Sequence, residues 1–128
     1  MLYLDPPYNR RQYSSVYHLL DTIASNRQDF TPQGTIGKPP NCPPSAYSLK
    51  RAVKHSFEQL IADAKFKYIF LSYNNEGHMS FDEIKAIMSK YGTYSVVSKK
   101  YSRHKTNKET PQDTPKHTIE YIHILIKP

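Results

Sequence analysis

Tryptophan is absent from the 128 residues, cysteine occurs once, at Cys42, and glycine only four times. A single cysteine excludes an internal disulfide and suits a reducing cytoplasm. Cys42 also has no His or Cys partners at metal-ligand spacing, so no metal site is expected. The four glycines, Gly34, Gly37, Gly77 and Gly92, include no pair at G-x-G spacing. A glycine-rich loop that would cradle a nucleotide is therefore missing. No apolar run is long enough to cross a membrane and no signal-like segment is seen, so no membrane partner is expected. Internal repeats are absent too.

What is present fits one modest core. A chain of 128 residues with 38% hydrophobic content makes at most one domain. Eighteen basic residues against eleven acidic ones give a formal charge of +7. That charge favours a polyanionic partner such as nucleic acid, and it equally fits a plain soluble basic surface. The eleven tyrosines can stack on bases or serve as ordinary core residues.

The chain is organised around Leu2-Tyr3-Leu4-Asp5-Pro6-Pro7-Tyr8-Asn9. The apolar run reads as a buried strand, which two consecutive prolines end in a stiff, extended shape. A carboxylate, a proline carbonyl and an aromatic ring are thereby fixed within one turn at a strand's C-terminal edge, where open α/β sheets bind ligands. Asp5 and the Pro6 carbonyl can accept two hydrogens from one planar NH2 while Tyr8 stacks on its ring. The same tetrapeptide also suits a plain strand-ending turn, and its four residues do not choose between the two.

Beyond the motif, Ser14 or Ser15 can cap a helix over 16–24, whose apolar face is Leu19, Leu20, Ile23 and Ala24. Tyr13 and Tyr17 are placed to share a face, and His18 beside it reads as structural more readily than catalytic. Residues 26–45 carry five prolines and two glycines and form a Pro-rich loop: a lid, a DNA-contacting loop or a connector. Residues 46–64 have the clearest helical spacing, through Leu49, Val53, Phe57, Leu60, Ile61 and Ala64. Tyr68 to Tyr73 is a nearly continuous apolar run, as in a parallel strand covered on both faces. A helix with a Ser80–Glu83 capping box follows, with Gly92 as its terminator. Residues 94–100 and 118–126 read as strands around a basic hairpin loop, 99–118. That loop holds Lys99, Lys100, Arg103, Lys105, Lys108 and Lys116 against only Glu109 and Asp113. It suits phosphate-backbone contact; a solvated charged loop has the same composition.

Asp5-Pro6-Pro7-Tyr8 resembles the catalytic motif of amino-methyltransferases that use S-adenosylmethionine. Asn9-Arg10-Arg11-Gln12-Tyr13, Tyr17-His18-Leu19-Leu20 and Phe70-Leu71-Ser72-Tyr73-Asn74-Asn75-Glu76-Gly77 narrow the resemblance to the Dam-like, alpha-group DNA adenine-N6 methyltransferases. It runs from Leu2 to Lys127 and covers only the C-terminal half of such an enzyme. The fold implied is α/β, the C-terminal half of a Rossmann-like methyltransferase sheet. Two parallel strands would be joined by an antiparallel closing hairpin whose last strand inserts between its neighbours, with flanking helices. Residues 1–128 would be a partial catalytic domain.

By that resemblance, Asp5, Pro6 and Tyr8 are catalytic, with Asp5 also touching S-adenosylmethionine. Pro7, Asn9, Tyr73 and Asn74 would line the pocket of an adenine flipped out of double-stranded DNA. Arg10, Arg11, Tyr13, Lys99, Lys100, Arg103 and Lys105 would contact DNA, in a bacterial or phage-like, restriction-modification setting. The missing glycine-rich loop implies an N-terminal partner polypeptide or missing segment. Two other readings stay open: methylation of an RNA base or protein amide, and a non-catalytic DNA-binding remnant. Without the first strands of the family sheet, Leu2–Leu4 would be an exposed edge, and self-association is expected.

Overall fold

Leu2–Leu4 does form a strand, β1, and it pairs in parallel with β2, Tyr68–Asn74, in the register Leu2 to Ile69 and Leu4 to Leu71. The computed structural model describes residues 1–26, 31–35, 37, 40, 44–102 and 117–128. β3, Thr93–Ser102, and β4, His117–Ile126, make a long antiparallel hairpin. β4 also pairs antiparallel with β2, so the sheet order is β1-β2-β4-β3 and the last strand in sequence lies inside. This is the mixed α/β arrangement that the resemblance implied.

Helices cover one face of the sheet. α3, Val53–Asp63, buries Val53, Phe57 and Ile61; α4, Phe81–Ser89, buries Ile84, Ile87 and Met88. Both close over Ile69, Leu71, Tyr73 and Leu125 in one core. The Ser80 capping box forms in full, with Ser80 Oγ accepting from the Glu83 N–H and Glu83 returning a bond to the Ser80 N–H. At the far end of α3, Lys127 Nζ donates to the carbonyls of Ile61, Ala62 and Ala64 at 2.8–3.2 Å, satisfying acceptors that the helix itself leaves open.

No described helix packs on the opposite face. Alternation along the register puts Tyr3, Phe70, Ser72, Ile122, Ile124 and Val97 there, and Tyr3 and Val97 are 57% and 61% exposed. The apolar run of β2 is thus buried at alternate residues only, not on both faces as the sequence suggested. The reason is that no described helix lies on that side.

Three helix expectations need correcting. The 16–24 helix starts early and breaks, giving α1, Tyr13–Val16, and α2, His18–Ala24, with Tyr17 between them outside helical geometry. Neither Ser14 nor Ser15 caps it; both lie within α1, whose N-cap is Gln12. The 46–64 helix is a single 3₁₀ turn, Ala46–Ser48, followed by an extended Leu49 and then α3. Hydrogen bonds from Ser45 N–H to Gln12 Oε1 and from Ser48 Oγ to the Arg11 carbonyl hold that turn against the stretch after the motif. Gly92 is not a left-handed cap: it starts the approach to β3, where an added Cβ would sit 2.2 Å from the Ile126 carbonyl oxygen. Most of the basic loop, including Arg103 and Lys105, and much of the Pro-rich loop, including Cys42, lie outside the described residues.

Candidate active site

The turn after β1 and the turn after β2 meet. Pro6 and Pro7 carry the chain off the sheet edge, and the Tyr8 carbonyl then accepts from the His78 N–H at 2.9 Å. The Tyr8 ring meets the Tyr73 ring edge to face, with centroids 5.8 Å apart at 79°. Burial raises the Tyr8 phenol above its usual range, with the charges of Glu120 and Asp5 adding to the effect. The ring is therefore neutral at any physiological pH.

Asp5 is exposed, and among the described residues it makes no ion pair. It lines a cleft of about 430 Å³ together with Tyr3, Leu4, Pro6, Pro7, Tyr47, Phe57 and Leu60. On the other side of the motif, Pro7, Tyr8, Asn9, Arg11, Tyr13 and Tyr17 border a smaller hollow of about 180 Å³. The motif thus borders both openings, Asp5 lining the first, Tyr8 the second and Pro7 both. Tyr13 packs edge to face on Tyr17 at 5.5 Å.

Other residues singled out from sequence take different positions. Tyr73 is fully buried and reaches the site only through Tyr8. Asn74 is 8% exposed and its Oδ1 accepts from the Glu76 N–H, so its side chain shapes the turn. Asn9 Oδ1 accepts from the Arg11 N–H in the same way, on the surface. Arg10 and Arg11 are exposed. Lys99 pairs in register with Glu120, which in turn opposes Asn74. The described ends of the basic loop therefore leave the sheet at the same edge as the Asp5 turn. Lys99 and Lys100 are exposed there, with Lys99 Nζ 5.1 Å from the Tyr101 ring centre.

The sequence places the Asn74–Gly77 turn beside the Asp5 turn, as found, but does not show the roles of Gly77, His78 and Glu120. An added Cβ at Gly77 would lie 2.1 Å from Tyr73 Cε1, so only glycine lets the turn close over that ring. His78 contributes a backbone group, which carries no side-chain signature. Glu120 comes close through the inserted strand β4.

The D12 class N6 adenine-specific DNA methyltransferase family model matches residues 1–87, more than half of the chain and all of this turn. The chain belongs to that family. Type II methyltransferases extend the likeness to the hairpin. Type II methyltransferase M.NlaIII of Neisseria lactamica is 48% identical over 99% of this chain and 38% of its own length. Type II methyltransferase M.FokI of Planomicrobium okeanokoites is 36% identical over 95% of the chain and 19% of its own. M.CviAII of Paramecium bursaria Chlorella virus 1 is 31% identical over 80% of the chain. The chain thus spans little more than a third of M.NlaIII and about a fifth of M.FokI. No solved structure matches it.

Proposed function

We propose that these residues are the catalytic-motif part of a D12-type enzyme that methylates N6 of adenine in double-stranded DNA, in a restriction-modification setting. The observation that carries this reading is the Asp5–Tyr8 turn. Asp5 lines an open cleft, and Tyr8 is held at the sheet edge through its ring by Tyr73 and through its carbonyl by the His78 N–H. The adenine amine is a poor nucleophile because its lone pair is delocalised into the ring. Asp5 and the Pro6 carbonyl accept its two hydrogens, drawing the nitrogen toward a tetrahedral shape and exposing the lone pair. Positioning and electrostatics then supply the rate, with no covalent nucleophile.

The target nitrogen is inaccessible inside a duplex, so the base must be flipped out, at a cost of a few kcal/mol. Stacking on Tyr8 returns about 1–3 kcal/mol of that. Pro7 and Asn9 flank Tyr8 in sequence, Tyr73 meets its ring, and Asn74 shapes the neighbouring turn. Arg10, Arg11 and Tyr13 follow the motif, and Lys99 and Lys100 come from the same end of the sheet, so these residues can meet the phosphate backbone; in sequence, Arg103 and Lys105 continue that basic stretch.

S-adenosylmethionine supplies the activated methyl group. The described residues fit one wall of its site: Asp5 lines a cleft of about 430 Å³, large enough to admit part of such a molecule. They include no glycine-rich turn after a strand, so the rest of the cradle comes from an N-terminal segment or partner polypeptide.

The test supplies the complete polypeptide with tritium-labelled S-adenosylmethionine and duplex DNA, RNA or protein in parallel. Label recovered as N6-methyldeoxyadenosine from the DNA supports the reading. Label confined to RNA or to protein amides, or no transfer at all, overturns it.

A further inference from the structure

Tyr73 is the largest fully buried side chain and touches the catalytic motif without facing the site. Its hydroxyl accepts from the Met79 N–H at 3.3 Å, and Gly77 closes over its ring with no room for a Cβ. Its edge-to-face contact fixes one side of the Tyr8 ring, while the His78 N–H fixes the Tyr8 backbone. The end of β2 and the turn after it therefore grip Tyr8 at two points, neither of which involves Asp5. A ring free to rotate about its χ2 bond would present its face to a flipped base only part of the time.

We propose that Tyr73 is a positioning residue: its buried ring sets the plane of Tyr8, and thereby the stacking platform for the base, through the turn that Gly77 allows. This deepens the adenine-methylation reading and rests on it. The hydroxyl is turned to the backbone N–H groups of Met79 and His78, so the contact with Tyr8 is made by the ring.

The test uses the complete enzyme with a duplex carrying 2-aminopurine at the target position. In the wild type the extruded base stacks on Tyr8 and its fluorescence is partly quenched. Tyr73→Phe keeps the ring edge and should match the wild type in quenching and in kcat. Tyr73→Met fills most of the volume without a ring. It should leave the extruded base brighter and lower kcat about tenfold or more, with KM for DNA little changed. If Tyr73→Met loses its cooperative melt, Tyr73→Leu is read in its place. Unchanged quenching and kcat in the ring-less variant overturn the proposal, as does a Phe variant equally impaired. A wild-type enzyme that neither brightens the probe nor methylates DNA overturns the substrate reading instead, which keeps the two failures apart.

Discussion

The N–H of His78 donates to the carbonyl of Tyr8 at 2.9 Å, across 70 residues of sequence. This bond joins the turn after β1 to the turn after β2 and makes one site of two strand ends. The parallel register of β1 on β2 puts Leu4 beside Leu71, and Tyr73 two residues further on reaches under the motif. β4 then brings Glu120, and with it the roots of the basic loop, to the same edge.

Replacing Lys99 and Lys100 together by Gln should weaken DNA binding across sequences. It should also reduce the slope of log K against log salt by up to about 2. Filter binding between low and moderate salt measures it. An unchanged slope removes these lysines from the interface.

The sheet face that no described helix covers and the face of α2 where Leu19, Leu20 and Ile23 are 62–68% exposed should make these 128 residues self-associate when isolated. Light scattering across a concentration series should show mass rising above that of the 14.9 kDa chain. Leu20→Lys with Ile23→Lys should reduce it. A stable monomer at every concentration contradicts the expectation.

His123 is fully buried beside Phe81, Tyr94 and Tyr121, with Nδ1 2.7 Å from Tyr94 Oη. Burial lowers its pKa from 6.5 to about 4. The folded state therefore holds it neutral while the unfolded chain takes up a proton below pH 6.5. Its contribution is full above that pH and is lost progressively as pH falls toward 4, by at most roughly 3 kcal/mol. Urea titrations from pH 7 to 4 should show a loss that is flatter in His123→Phe; identical slopes contradict the assignment.

Lys127→Met should remove the three bonds to the C-terminal carbonyls of α3 and cost about 1–3 kcal/mol. Thermal melts of the complete enzyme at neutral pH measure it. No change in the melt would mean that water serves those carbonyls equally well.

The elements whose cause is local were legible in the sequence. Leu2–Leu4 with two following prolines, the run from Tyr68, the Ser80 capping box and the terminal hairpin all stand where pattern and turn chemistry put them. The strand order was available only through the family resemblance. The break before α3 was hidden because its cause is tertiary: the bonds from Ser45 and Ser48 reach back to Gln12 and Arg11. Nor could spacing show that Tyr73 turns inward under Tyr8, since inward and outward residues on β2 are both aromatic.

The role proposed for Asp5 is to act on the amine and not on the fold. The direct measurement is methyl transfer and DNA affinity side by side for Asp5→Ala in the complete enzyme. Transfer should fall to background, while the dissociation constant for cognate duplex stays within about threefold of wild type, since Asp5 contributes no phosphate contact. Retained transfer would contradict the claim.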